Sequence, residues 1–281
     1  MSEHPDRPPS PLEIEAGSLR GLLHARFRDQ AAELARVFES GRSPLDGPGA
    51  KIIHEGRNRL GVVSWPWMIA GFHKVVVKEF RFRGANSLKS LLGPSKALRS
   101  WLGAVGLVER GIPTPFPVAY LEERKRGIVQ NGYYLSGWVP DGREIRGLFR
   151  ELESDPLRRL LAGLAAFLWE CHDKGVLHRD LSDGNIMVKT DEAGRHRFLL
   201  LDTNRIRIRG RIGLRGRVRN LVRLGVPAAS QRFFVDRYLG EARRRNFWFV
   251  YYRARKRAYA GAVALKKKLG LRKLARALRI Q

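Results

Sequence analysis

The sequence is short of acids. Its 281 residues carry 54 lysines and arginines against 27 aspartates and glutamates, a formal net charge of +27. A chain so unbalanced attracts polyanions: nucleic acid, anionic lipid headgroups or phosphorylated glycolipid. The imbalance is concentrated, because from Arg205 onward 24 lysines and arginines face only two acids, Asp236 and Glu241. Cysteine is almost absent. With Cys171 alone no intramolecular disulfide can form, which points to a reducing compartment and to a small, buried helix residue. No apolar run approaches the roughly 18–20 residues that span a bilayer. The polar, proline-rich opening MSEHPDRPPSPLEIEAG lacks the apolar core of a secretory signal, so the protein is expected in the cytoplasm. Nucleic acid is an unlikely partner: no helix-turn-helix, zinc-ligand spacing or RNA-stacking motif supports it. No internal repeat of about 20–50 residues organises the chain.

What is present is an ordered succession of patterns. Apolar residues make up 43% of the chain, enough for a globular core. Residues 1–17 read as a disordered lead, and 18–40 as an amphipathic helix from apolar residues at helical spacing. Strand-like stretches follow: KIIHEG (51–56), a turn at RNRL (57–60), GVVSWPWMIAG (61–71) and HKVVVKEF (73–80). Pro66 marks an edge or a bulge, and Val75–Val77 form a β-branched run. A helix is predicted over 95–110, stopped by GIPTPFP, then strands at VAYLEER (118–124) and GIVQNGYYLSGWV (127–139). Beyond Pro140 helix takes over. DPLRRLLAGLAAFLWECHDKG (155–175) has Asp155 as a possible N-cap, Pro156 at the first position and Gly175 as its stop, and is apolar enough to be buried. The predicted organisation is a lead and helix over 1–44, a strand-rich part over 45–140, a helical part over 141–240 and a basic helical tail over 241–281, an α+β chain.

One stretch carries chemistry. HRDLSDGNIMV (178–188) would be an ordinary polar turn if it stood alone. It runs into a predicted hairpin, IMVKT (186–190), DEAGRH (191–196) and RFLLL (197–201), with Asp202 next. If Ile186 pairs with Leu201, Asn185 and Asp202 become neighbours on strands about 4.8 Å apart. A carboxylate and an amide so placed suit Mg²⁺, which prefers oxygen ligands and keeps waters and phosphates as the rest. Asp180 precedes Asn185 by five residues, where it can accept or orient a substrate hydroxyl; phosphoryl transfer asks mainly for positioning and charge neutralisation. His178 and Arg179 more readily hold the loop. Lys78 ends the Val75–Val77 strand on the face opposite Val77, where it can meet a nucleotide rather than solvent.

These residues follow the order of the protein-kinase-like fold: a strand lysine, an HRD-x-x-x-x-N loop and a metal-binding aspartate. More narrowly, the chain resembles the bacterial lipopolysaccharide core kinases, the InaA-like family that phosphorylates heptose or Kdo sugars. The resemblance covers about residues 51–240, on HEGRNRL, VVVKEF, ERGIPTPFPVAYLEE, HRDLSDGNIMV and LLLDTNRIR. It implies a bilobal fold with a small antiparallel-sheet N-lobe and a larger helical C-lobe. It also implies an ATP- and Mg²⁺-dependent kinase that transfers the γ-phosphate to a sugar hydroxyl of a lipid-linked glycan. Asp180 would be catalytic, Asn185 and Asp202 would hold metal, and Lys78 would contact the α- and β-phosphates. EGRNRLG, with Gly56, Arg57 and Asn58, would lie over the phosphates, Arg57 and Arg59 supplying charge; YLSGWV would meet adenine.

The chain also departs from the pattern. EGRNRLG is not a G-x-G-x-x-G. The helix SKALRSWLGAVGLVER has no acid before Glu109, and Ser100 stands about where the glutamate partner of the strand lysine is expected. No A-P-E follows DTNR, which argues for a glycolipid or small-molecule acceptor over regulated protein phosphorylation. RARKRAYAGAVALKKKLGLRKLARALRIQ is a basic amphipathic stretch in which Leu265, Leu269, Leu271, Leu274, Leu278 and Ile280 largely share one side. It is expected to lie on an anionic membrane surface, the inner face of the bacterial inner membrane, to pack onto the helical part, or to do both. Two other readings stay open: a kinase-fold phosphotransferase for protein or a soluble metabolite, and a pseudokinase-like protein that binds anionic surfaces.

Overall fold

Leu12, Ile14 and Ala16 alternate with polar residues, and the structure, a computed structural model, turns that alternation into sheet. It describes residues 10–56, 58–69, 72–81, 89–91, 93–240 and 245–269. Strands β1 (Leu12–Ala16) and β2 (Leu19–Leu23) occupy ground expected to be a disordered lead and the start of a helix. Gly17, at φ +59, leads the two-residue turn that lets Ala16 pair with Leu19. The helical spacing is real but begins later, in α1 (Ala31–Glu39), which buries Leu34 and Phe38.

The chain divides into two compact units, the first formed by residues up to 105 and by 115–139. Here β3 (Ala50–Glu55), β4 (Asn58–Ile69), β5 (Phe72–Arg81), β6 (Pro117–Lys125) and β7 (Ile128–Gly137) join the first two strands. The result is a seven-stranded antiparallel sheet in the order β1-β2-β6-β7-β5-β4-β3. The turn read at RNRL is shorter than expected, since Arg59 already pairs with Glu55 inside the β3–β4 hairpin. Pro66 lies where the β4–β5 register shifts, between Ser64 and Ile69, and beyond Val63, the last β4 residue that β3 covers. A residue without an amide proton is tolerated there. One sheet face carries Val75, Val77, Leu121 and Leu135 against α1. The other carries Phe80 and Tyr134 against Ala97, Trp101 and Ala104 of α2 (Lys96–Val108), a helical stripe of small and aromatic residues.

The second unit takes in residues 106–114 and the chain from 140 onward. After β8 (Arg143–Glu144) and α3 (Ile145–Glu151) comes α4 (Ser154–Asp173), which buries nine residues of its length, among them Leu160, Leu164, Leu168 and Cys171. Asp155 stands in its first turn, while Glu153 holds the cap position expected of Asp155. Burial pushes the Cys171 thiol well up, so it is inert packing. Gly175 stops the helix at φ +75, and a Cβ there would run into the Arg209 carbonyl. Strands β9 (Val176–His178), β10 (Ile186–Thr190), β11 (His196–Leu200) and β12 (Ile206–Ile208) follow, then α5 (Leu214–Leu221), α6 (Gln231–Leu239) and α7 (Arg245–Lys268). Helix α7 buries Tyr252 in the core but leaves Val250 and Leu265 exposed, as is Leu269 just beyond its end. Among the described residues no helix is long and apolar enough to cross a membrane. Leu271, Leu274, Leu278 and Ile280 lie outside the described residues.

Candidate functional site

The candidate site of the second unit is built on two short pairings. Strand β9 pairs with β12, His178 opposite Ile206, and β10 pairs with β11. In the β10–β11 hairpin Ile186 faces Leu200, one residue away from the expected Leu201. Asn185 therefore faces Leu201, whose N–H donates to the Asn185 carbonyl at 2.9 Å, and Asp202 is the next residue on. Asp202 adopts the left-handed conformation, φ +49 and ψ +52, which aspartate tolerates better than most residues. Its Oδ1 accepts a hydrogen bond from Asn204 Nδ2 at 2.9 Å, and Arg205 Nε stands 3.9 Å from Oδ2.

Asn185 has its amide nitrogen committed. Nδ2 donates to the Asp180 carbonyl at 2.7 Å and to Ser182 Oγ at 3.3 Å, which aims Oδ1, the atom a cation needs, the other way. Among the described residues no group of three or more His, Cys, Asp or Glu side chains gathers for a metal. A cation here would rest on one carboxylate, one amide oxygen and the oxygens of a ligand, a donor set that suits Mg²⁺. The residues present fit that ion. The Asp180 carboxylate pairs through Oδ1 with Arg223 Nη2 at 2.5 Å and keeps 31% of its side chain exposed.

Beneath the loop lies a chain of buried and half-buried hydrogen bonds from three helices. The Tyr238 hydroxyl of α6 donates to His172 Nδ1 of α4 at 2.6 Å, and His172 Nε2 donates to Asn220 Oδ1 of α5 at 3.0 Å. Asn220 Nδ2 then donates to the His178 carbonyl at 2.8 Å. The His178 ring closes the circuit: Nδ1 accepts the Asp180 N–H at 3.1 Å, and Nε2 donates to the Leu201 carbonyl at 2.9 Å. Both histidines are neutral, each pushed below the usual histidine value chiefly by burial, His172 to about 4. His178 is thus a strut that ties the Asp180 backbone to the end of the hairpin.

The low value for His172 makes acid stability testable. Unfolded, it protonates near 6.5; folded, it resists until about 4. Its contribution is complete above pH 6.5 and is lost as pH falls toward 4, on the order of 3 kcal/mol. Thermal melts across that window are expected to fall more steeply for the wild type than for His172→Gln, which has no proton to gain.

In the first unit, Lys78 sits on β5 opposite Leu60 of β4 and Tyr134 of β7, half-buried, with Nζ 5.4 Å from the Phe80 ring centre. It shares the sheet face that α2 covers. Ser100 of α2 is buried, and its hydroxyl donates to the Lys96 carbonyl at 2.9 Å. Gly56 and Asn58 flank the tip of the β3–β4 hairpin; Arg57, expected there with them, lies outside the described residues. Asn58 Oδ1 is buried without a hydrogen-bond partner. Arg59 does not supply charge to a phosphate as expected. It turns inward, its side chain 9% exposed, and binds Asp46 at 2.7 Å and Glu79 at 3.2 Å.

Sequence reasoning missed Arg223, Asn220, His172 and Tyr238. Arg223 and Asn220 lie in or just after the arginine-rich run that replaces an activation segment. Nothing in their spacing separates them from its other polar residues.

No curated protein matches the chain. Among solved structures it is similar to one described as "WaaP in complex with acyl carrier protein", at 20% identity and a TM-score of 0.51, covering 83% of this chain and 93% of that one. At that identity the likeness speaks for the fold: an antiparallel-sheet unit and a helical unit of the protein-kinase-like α+β type. The family model described as "Lipopolysaccharide kinase (Kdo/WaaP) family" matches residues 85–251, a range that begins after Lys78 and contains Asp180, Asn185, Asp202 and Arg223. With more than half of its length matched, the chain belongs to the lipopolysaccharide kinase (Kdo/WaaP) family, whose members are kinases that phosphorylate sugar hydroxyls of lipopolysaccharide.

Proposed function

We propose that the protein transfers the γ-phosphate of ATP to a heptose or Kdo hydroxyl of the lipopolysaccharide core. The observation that carries this reading is the lock between Asn185 Nδ2 and the Asp180 carbonyl. It makes the candidate base and a candidate metal ligand one rigid piece. Asp180 orients the acceptor hydroxyl and takes its proton. Asn185 Oδ1 and the Asp202 carboxylate would hold Mg²⁺, which when bound neutralises phosphate charge. Lys78 binds the α- and β-phosphates, and Gly56 and Asn58, flanking the tip of the β3–β4 hairpin, cover them.

The acceptor is lipid-linked and anionic, which suits the basic end of the chain. On α7 the exposed Arg255, Arg257, Lys267 and Lys268 accompany the exposed Phe247, Val250 and Leu265. Such a surface docks at an anionic bilayer, placing the enzyme on the inner face of the inner membrane. The protein is expected to co-sediment with anionic vesicles at low salt and to be released as salt rises; a kinase of soluble metabolites would stay in the supernatant.

The direct test is transfer from γ-labelled ATP to purified core lipopolysaccharide with and without Mg²⁺. Label is expected in the sugar, and only with the metal. Failure across acceptors and divalent metals would leave the pseudokinase reading, favoured by Ser100 in the place of a helix glutamate.

A further inference from the structure

Asp180 is followed by Leu181, Ser182, Asp183, Gly184 and Asn185, a run with no cation. A carboxylate that must present one oxygen to an incoming hydroxyl needs its other oxygen fixed. The partner comes from far along the chain. Arg223 stands on the turn after α5, and its Nη2 meets Asp180 Oδ1 at 2.5 Å.

That turn is gripped from two sides. Toward the catalytic loop, Asn220 donates to the His178 carbonyl at 2.8 Å, and the Gly225 N–H donates to Asp183 Oδ1 at 2.5 Å. Toward α7, Lys256 Nζ donates to the Leu224 carbonyl at 2.5 Å and to the Val222 carbonyl at 3.3 Å. The Tyr259 ring lies under the Arg223 guanidinium, 5.3 Å from its centre. A surface ion pair normally contributes little because both side chains must be ordered from a mobile state. Here the backbone of the turn is anchored at both ends, and a ring holds the guanidinium plane, so much of that ordering cost is already met.

We propose that Arg223 is the positioning residue for Asp180. It holds Oδ1 so that Oδ2 faces the acceptor hydroxyl, and α7 keeps Arg223 in place through Tyr259 and Lys256. The helix that carries the basic surface thereby also sets the geometry of the base. The inference rests on the phosphotransfer reading above.

The test uses the full chain with ATP, Mg²⁺ and core lipopolysaccharide. Arg223→Ala is expected to lower kcat roughly 10- to 100-fold, the scale of a misplaced catalytic group, with the KM for ATP changed less than about twofold. Arg223→Lys is expected to recover part of the loss and Arg223→Gln less, because the charge matters as well as the donor. Tyr259→Ala, a change at an exposed residue that the fold should tolerate, is expected to lower kcat by about 3- to 10-fold in the same direction. Acting through Asp180, Arg223→Ala should add almost nothing in an Asp180→Asn background.

An active wild type with an inert Asp180→Asn and an unimpaired Arg223→Ala overturns the role of Arg223 alone. So does additivity of the two changes. A wild type inactive with every acceptor overturns the phosphotransfer reading and the positioning role together.

Discussion

Asp180→Asn is expected to lower kcat by roughly 10²–10⁴-fold, the range that a positioned general base contributes. The low end is favoured, because the transition state of phosphoryl transfer is loose and the hydroxyl proton leaves late. The substitution is nearly isosteric. An amide oxygen still accepts from Arg223 Nη2, and the backbone bonds from Asp180 N–H to His178 Nδ1 and from Asn185 Nδ2 to the Asp180 carbonyl do not involve the side chain. Thermal stability should therefore stay close to wild type, and the loss can be assigned to chemistry rather than unfolding. Initial rates of label transfer at saturating ATP and lipopolysaccharide give the measurement. Wild-type kcat in this variant would remove Asp180 from the reaction.

The stretch 178–202 was legible because it is contiguous: the hairpin sets Asn185 opposite Leu201, with Asp202 next, and Asn185 is tied to the Asp180 carbonyl. The hairpin register was missed by one residue because His196 pairs with Thr190, which leaves five connecting residues rather than six. The difference is one residue: Asn185 faces Leu201, and Asp202, in its left-handed conformation, is the next residue on. Helix α4 was readable from its dense apolar run, and β5 from its valines. The N-terminal strands were not: LRGLL fits a helix as readily as a strand, and what decides is pairing of β2 with β6, about a hundred residues on. The support beneath the loop was invisible for the same reason. Tyr238, His172, Asn220 and Arg223 come from different elements, and only packing of α4, α5 and α6 makes them neighbours. Arg59 was misplaced by parity. It pairs with Glu79 across the strands, whereas Lys78 pairs with Leu60, so the two cations stand on opposite faces of one sheet.

That placement gives Arg59 a large expected effect on stability. Arg59→Ala is expected to destabilise the sheet unit by about 3–5 kcal/mol, the scale for breaking a buried ion pair from one side. The cost arises at Glu79, whose side chain is 8% exposed and would lose one of its cationic partners. Ser43 Oγ at 2.8 Å and Arg81 Nε at 2.9 Å remain on that carboxylate, which draws the expectation toward the lower figure. Asp46 adds little, because half of it is exposed and water replaces its partner. If the charge left behind is the cause, removing it should restore stability: Arg59→Met with Glu79→Gln is expected to recover most of the loss in denaturant melts. A double variant as unstable as the single one would instead assign the effect to lost packing. A functional consequence follows from topology. Arg59 fixes the base of the β3–β4 hairpin through Glu55, its cross-strand neighbour, and through Asp46. Gly56 and Asn58, proposed to cover the phosphates, flank the tip above that base. In Arg59→Met the KM for ATP is expected to rise while kcat at saturation changes little, because a looser cover weakens nucleotide binding without touching Asp180, Asn185 or Asp202.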